Sequence, residues 1–243
     1  MSRTLVTVAL PSLNEQRRIG DCLDSLAASI EAAPDEYAFE VIVLDSYSDD
    51  ATVEIADSHP VVDLVDFVER GILHARHRGF ELAGGEIVVS VDADSLYPPE
   101  FLTELLAPFE PDVALTYGPV EGEKRANIDA SIRLALQYGL PFVGLDWVSG
   151  SNRAIRTQDY FDAGGYRLAV DGDSLARVMA EEQLLFSRRL SGKVVFAKGA
   201  KSSQSARTLE QLFFLGEKEG GESWDIISPY STFCRYREKL RRE

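Results

Sequence analysis

Carboxylates gather at three places in the first hundred residues. Pro11-Ser12-Leu13-Asn14-Glu15 follows the apolar run TLVTVAL, Asp45-Ser46-Tyr47-Ser48-Asp49-Asp50 follows FEVIVL, and Asp92-Ala93-Asp94-Ser95 follows EIVVSV. Acidic groups held close together repel one another unless a cation or hydrogen-bond donors join them. Two aspartates at alternate positions suit a hard divalent ion, Mg²⁺ or Mn²⁺, which prefers oxygen ligands and shares its shell with phosphates. A pyrophosphate ligand is the chemistry implied. Asp-X-Asp alone is a weak pattern: 19 Asp in 243 residues give roughly 1.5 such triplets by chance at this composition. A second triplet, Asp171-Gly172-Asp173, sits in a glycine-containing loop and reads as solvated surface. Position at a strand end, rather than the triplet itself, singles out Asp92 and Asp94.

The elements that must position these groups alternate in type. Thr4–Leu10, Phe39–Leu44, Val61–Val68 and Glu86–Val91 read as strands. Between them Glu15–Ala32, with Ile19, Leu23, Leu26 and Ile30 at helical spacing, then Asp49–Ser58 and Gly71–Ala83 read as helices. Strand–helix alternation with continuously apolar strands implies a parallel sheet covered on both faces. In such sheets ligands bind outside the carboxyl ends of the strands. The second half is less regular: strands at Asp112–Gly118, Asn152–Arg156 and Lys193–Ala197, helices at Asn127–Tyr138, Ala180–Leu190 and Thr208–Glu219. No repeat or linker separates the halves. The expectation is one α/β domain over 1–243, with a nucleotide-binding front half at 1–97 and a variable back half at 98–243.

Composition narrows the function classes. Twenty-five basic against 40 acidic residues give a net charge of −15, which argues against nucleic-acid partners and against a basic face on an anionic membrane. No apolar run reaches the ~18 residues of a spanning helix, so a cytoplasmic protein is expected, with peripheral association at the cytoplasmic membrane face compatible with it. Cys22 and Cys234 match no metal spacing and no disulfide framework. Six Lys against 19 Arg, with 19 Asp and 21 Glu, is what a protein facing molar salt would carry, since screening weakens self-repulsion there; an acidic mesophile protein is the alternative. A dinucleotide oxidoreductase would carry Gly-X-Gly-X-X-Gly after its first strand, and Pro-Ser-Leu-Asn-Glu stands there instead.

ALPSLNE, VIVLDSYSDDAT, GILHARHRGFELAGGEIVVSVDADS and the later SGSNRAIR, FDAGGYR and AEEQLLFSRRL together resemble family 2 glycosyltransferases of the GT-A fold, over about residues 3–200. The resemblance implies a Rossmann-like, mostly parallel sheet with helices on both faces and a more irregular C-terminal half. It makes 1–97 a nucleotide-sugar-binding half and 98–243 an acceptor-binding half. It also implies inverting transfer of a sugar from a nucleotide-sugar donor to a glycan or polyprenyl-linked acceptor, with Mg²⁺ or Mn²⁺. With the salt-facing composition, it points to a halophilic archaeal origin. Carried over residue by residue, Pro11, Ser12 and Glu15 line the nucleotide pocket, Asp45 meets the base edge, and Arg76 lies at the base or phosphates. Asp92 faces the ribose or donor sugar and Asp94 binds the metal. Glu182 matches the family's catalytic aspartate as general base, with Glu181 before it and Arg188 behind. Two departures stand out: the family's Asp-Asp-Gly-Ser is Asp45-Ser46-Tyr47-Ser48 here, and its Glu-Asp is Glu181-Glu182. The second keeps open a non-catalytic, nucleotide-sugar-binding domain as the alternative.

A carboxylate suits the role of base, particularly where an apolar wall raises its pKa; the alternative is that Glu181 and Glu182 are both solvent-facing helix residues. Arg188 is expected to pair with Glu181 across two helical turns. His74 and His77 stand at i, i+3 on one helix, with no third ligand nearby in sequence, and read as surface or supporting positions. Trp147 and the following Ser149-Gly150-Ser151-Asn152 are candidates for a sugar-facing floor, with a core tryptophan as the alternative, and Leu134–Val148 for an acceptor cleft or for core. Ser202 to Arg207, polar and small, reads either as a mobile lid with Arg207 donating to the pyrophosphate or as an ordinary surface loop.

Overall fold

The computed structural model describes residues 3–122, 138–139, 148, 150–167 and 181–204. All lie within the compact unit Met1–Ser205, after which the chain divides. The elements run β1 (Thr4–Ser12), α1 (Ile19–Glu31), β2 (Tyr37–Asp45), α2 (Thr52–Asp57), β3 (Leu64–Phe67), α3 (Ile72–Leu82), β4 (Ile87–Ser90), β5 (Ser95–Leu96), α4 (Phe101–Leu106), β6 (Val113–Tyr117), β7 (Val120–Gly122), β8 (Arg153–Arg156), α5 (Thr157–Asp162), β9 (Lys193–Phe196) and β10 (Ser202–Gln204). Seven strands form one sheet in the order β3-β2-β1-β4-β8-β6-β9. β3, β2, β1 and β4 are parallel, and β8 enters antiparallel between β4 and β6. β5, β10 and β7 make a second small sheet.

The parallel strands are apolar on both sides because both faces are covered. Val6, Val8 and Leu10 of β1 join Val41 and Val43 in one core with α1 and α4. Ala9, Ile42 and Leu44 point the other way into a second core with Leu73 and Phe80 of α3. That period of two is the pleat of the strand. Pro11, expected to end β1, lies inside it. Ala9 accepts from Val91 N at 3.2 Å, so Pro11, two residues on, faces the same side. There it has passed the last paired residue of β4, Ser90, and its missing N–H costs no ladder bond.

Several boundaries differ from the sequence expectation. α1 begins at Ile19 rather than Glu15, because Glu15 N donates to Thr52 Oγ1 (2.7 Å) and Asn14 N to Ser48 Oγ (2.8 Å) in a turn that ties the β1 and β2 ends together. The expected helix at Ala180–Leu190 is instead a wide π turn, Glu181–Leu185, followed by a 3₁₀ turn, Ser187–Arg189. Phe186 N reaches Glu181 O at 3.0 Å, the i to i+5 bond of the wider turn. The expected lid opens with a strand: Ser202–Gln204 is β10, held by β5 and β7. Most of Asn127–Tyr138, Thr208–Glu219 and Leu134–Val148, together with Trp147, Ser149, Asp171, Asp173, Arg207 and Cys234, fall outside the described residues.

Candidate active site

The register places three strand ends on one rim. Ser12 is level with Asp45, and Asp45 with Phe67, while Ala9 pairs Ser90 just before Asp92. Asp45 is fully buried. Its Oδ1 accepts from Ser48 N (2.7 Å), and its Oδ2 from Ser12 Oγ (2.9 Å) and Ser48 Oγ (2.6 Å). This carboxylate therefore shapes the β1–β2 edge from within, and no part of it faces the rim.

Arg76 is the centre of the arrangement. It lies one turn before Gly79 on α3, on the face that packs against the sheet. A Cβ at Gly79 would stand 2.8 Å from the Ala9 Cβ, so only glycine lets α3 sit this close to β1. The buried guanidinium donates Nη2 to Asp92 Oδ1 at 2.6 Å and Nη1 to Glu182 Oε1. One cation thus joins a carboxylate after β4 to a carboxylate of the π turn 90 residues later. Burial alone would lower the Arg76 pKa, but Glu182 and Asp92 outweigh it and hold the group above its ordinary value, fully charged. Glu182 is buried rather than solvent-facing, and a guanidinium rather than an apolar wall lies against its carboxylate. Gly150 closes the group from the side: a Cβ there would collide with Arg76 Nη1 and Glu182 Oε2. Ser90 Oγ donates to Gly150 O at 3.1 Å and holds that backbone in place.

Glu181 and Glu182 point to different arginines, which the wide turn permits. Glu181 is buried and takes Nη2 of Arg189 on Oε1 at 2.6 Å, with Arg167 N on the same oxygen at 3.0 Å. Arg188, the expected partner, is exposed instead. A 3₁₀ turn advances about 120° per residue, so the neighbouring position turns inward. Sequence reasoning also passed over Arg153, wholly buried on β8. Its Nη1 donates to Glu182 O at 3.2 Å, its Nη2 to Tyr166 Oη, and the guanidinium lies 5.1 Å from the Tyr166 ring centroid. Burial pushes the Tyr166 hydroxyl up to about 12, against the pull of Arg153 and with a further push from Glu182. The signal was legible: Arg153 shares its strand face with Ile155, an apolar phase that an arginine enters only to meet a polar partner.

Asp94 is half-buried, with Ser95 Oγ 3.4 Å and Gln204 Nε2 3.5 Å from its Oδ1. The buried Cys22 thiol is raised by burial first and then by the negative charges of Asp94, Asp92 and Glu15. Among the described residues no three His, Cys, Asp or Glu converge as a metal cage. With Asp92 committed to Arg76, this donor set fits an ion such as Mg²⁺ or Mn²⁺ that takes one carboxylate from the protein and most of its shell from phosphates. His77 Nδ1 lies 2.7 Å from Tyr160 Oη and its Nε2 3.7 Å from Glu81, a supporting position.

The profile described as Glycosyl transferase family 2 matches residues 7–166. The chain belongs to that family. It is 31% identical over 128 residues to a dolichol-phosphate mannosyltransferase of Pyrococcus furiosus, 50% of this chain and 35% of that protein. It is 32% identical over 117 residues to the Escherichia coli glycosyltransferase YibD, 46% of this chain and 33% of that protein. The chain thus spans about a third of the length of these curated relatives. The Pyrobaculum calidifontis mannosyltransferase PcManGT, solved with GDP-Man and Mn²⁺, superposes with a TM-score of 0.62 over 97% of this chain and 70% of that one, at 20% identity. S. aureus TarS 1–349 gives 0.61 over 88% and 64%, at 19%. These likenesses establish the GT-A type of fold. The family 2 match takes in Glu15, Asp45, Arg76, Asp92 and Asp94 but stops before Glu181 and Glu182. Glu182 joins the Asp92 strand end through Arg76, in space rather than in the matched sequence.

Proposed function

We propose that this chain transfers a sugar from a nucleotide-sugar donor to an acceptor hydroxyl with inversion. The observation that carries the reading is the Arg76 bridge, which sets Glu182 beside the Asp92–Asp94 strand end where family members bind their donors. Asp94, backed by Gln204, would hold Mg²⁺ or Mn²⁺, and Glu15, Ser12, Pro11 and Asp92 would line the donor side, with Asp45 shaping it from beneath. When bound, the ion offsets negative charge developing on the diphosphate. Glu182 takes the acceptor proton on Oε2 as the acceptor oxygen bonds the anomeric carbon. The bond to the diphosphate breaks and its electron pair leaves with the nucleoside diphosphate. Arg76 aims the Glu182 carboxylate, and Arg153 holds its backbone carbonyl. Gly150 leaves room for the Arg76 guanidinium and the Glu182 carboxylate. Arg188, Trp147 and Arg207 belong to the acceptor side or closing segment in this reading, within a single domain of donor half 1–97 and acceptor half 98–243.

The printed names of two relatives, a dolichol-phosphate mannosyltransferase and an undecaprenyl-phosphate 4-deoxy-4-formamido-L-arabinose transferase of Aeromonas hydrophila, support a polyprenyl-linked acceptor met at the cytoplasmic membrane face, with the hydroxyl that Glu182 deprotonates on a glycan carried by the lipid. No helix among the described residues is long and apolar enough to cross a membrane. One observation favours a second reading, a binding domain without turnover: the Glu182 side chain is only 8% exposed and locked to Arg76.

The test is calorimetric titration of nucleoside diphosphates with and without Mn²⁺, beside a release assay on a panel of nucleotide sugars. Wild type should bind only with the ion, gaining ~2.7 kcal/mol of stability at a hundred times the dissociation constant. EDTA and Asp94→Ala should each abolish that gain. Binding that ignores both would overturn the metal assignment, and binding without sugar transfer would favour the second reading.

A further inference from the structure

Three of the large apolar side chains that remain exposed among the described residues follow or end neighbouring strands at one edge: Leu13 just past β1, Tyr47 just past β2 and Phe67 at the end of β3. The register puts Ser12, Asp45 and Phe67 in one row, so this patch caps the carboxyl edge of the sheet, where ligands of such folds bind. Tyr47 is 61% exposed and Phe67 49%, yet their rings stack on each other at 5.6 Å and 25°. One face of Tyr47 is covered, and the ring is held out from a tied turn. Asp45 accepts from both the N–H and the hydroxyl of Ser48, and Ser48 Oγ in turn accepts from Asn14 N. Tyr47 itself has φ +60°, a left-handed conformation that suits glycine, so the turn accepts strain and still displays an aromatic ring.

We infer that Tyr47, backed by Phe67, is the platform on which the donor's nucleobase stacks. Recognition of the base then comes from its π face rather than from a carboxylate at its edge. The inference rests on the donor reading above and deepens it. Asp45, the residue the family resemblance assigns to the base edge, is sealed beneath three hydrogen bonds from its own protein. It cannot reach a base without breaking them. The platform stands on β2, two strands across from β4, roughly 10 Å at ordinary strand spacing. A nucleoside carrying two phosphates bridges that gap to Asp94. Asp49 and Asp50 follow directly in sequence and disfavour an anionic bilayer as occupant, while a neutral base meets no such penalty. Stacking tolerates any base, because every base has a π face. Purine and pyrimidine nucleotides should therefore bind with similar affinity, within about tenfold.

The experiment measures equilibrium binding of UDP, GDP and inorganic pyrophosphate, each with Mn²⁺, to the full chain and to Tyr47→Phe and Tyr47→Gly. Glycine fits the φ at this position, so that variant should fold at least as well as wild type, which a denaturation midpoint verifies. Tyr47→Phe should keep nucleotide affinity. Tyr47→Gly should lose ~5–100-fold for both nucleotides and nothing for pyrophosphate. Unchanged nucleotide affinity in Tyr47→Gly, an equal loss for pyrophosphate, or a hundredfold preference of wild type for one base would each overturn the platform. Loss of phosphatidylcholine-vesicle binding with nucleotide affinity intact would overturn it in favour of a membrane contact. If wild type binds pyrophosphate but no nucleotide, the platform alone falls. If it binds none of the three, the donor reading falls with it.

Discussion

Arg76 shares one positive charge between Asp92 and Glu182, and this sharing sets what each carboxylate can do. A guanidinium fork holds carboxylates in a defined plane, so it fixes direction as well as charge. The two neighbouring glutamates should then respond differently to the same change. Glu182→Gln keeps shape while removing the basic oxygen, and kcat in the transfer assay should fall ~10²–10⁴-fold with donor affinity nearly unchanged. Glu181→Gln weakens a largely buried contact with Arg189 and should cost ~1–3 kcal/mol in a urea denaturation series, with turnover close to wild type. Near-native turnover in Glu182→Gln, or a large kcat loss in Glu181→Gln at intact stability, would reverse the assignment. The identity of both glutamates was legible in the chain. Their separate partners were not, because Arg189 and Arg76 lie 8 and 106 residues away and a π turn has no distinctive composition.

At the level of elements, α3 carries the site. Its depth against β1 is set at Gly79, and Arg76 rides on the same face one turn earlier. Gly79→Ala should overpack the α3–β1 contact and lower stability by ~1–3 kcal/mol. Arg76 should shift with the helix, so donor binding should weaken as well. Chemical denaturation and nucleotide titration of that variant check both parts, and an unaltered denaturation midpoint would show that the helix yields freely. The long parallel strands were readable because a strand buried on both faces must be apolar throughout. β5, β7 and β10 were not, since strands of two or three residues carry no periodicity. β8 was readable as a strand, but its antiparallel insertion between β4 and β6 is a matter of topology that local pattern does not encode.

For the whole molecule the leading fact is charge. A net −15 with few lysines implies self-repulsion that salt should relieve, since the Debye length falls from ~10 Å at 0.1 M to ~3 Å at 1 M. We propose adaptation to high salt on this ground. The melting temperature should rise by roughly 5–10 °C between 0.1 and 2 M KCl, corresponding to a gain of ~2–3 kcal/mol for a chain of this size. A flat response would remove that proposal. The same repulsion acts locally, where the negative charges of Asp94, Asp92 and Glu15 add to burial in raising the Cys22 thiol.

The sequence by itself determined the class of fold, the carboxyl rim and the residue types standing on it. Those follow from local rules: strand phase, helix spacing, and the charge each side chain carries wherever it goes. It also determined the acidic surface. Only the tertiary structure decided which charges meet. Asp45 turned out to be an internal acceptor because Ser12 and Ser48 arrive from two different segments, and Arg153 became a buried prop because β8 is slotted into the sheet interior. Arg76 joined the two halves of the site because α3 lies flush on β1. A side chain's type is a property of one position, but its electrostatic environment is summed over neighbours far apart in the chain, and folding alone assembles that sum.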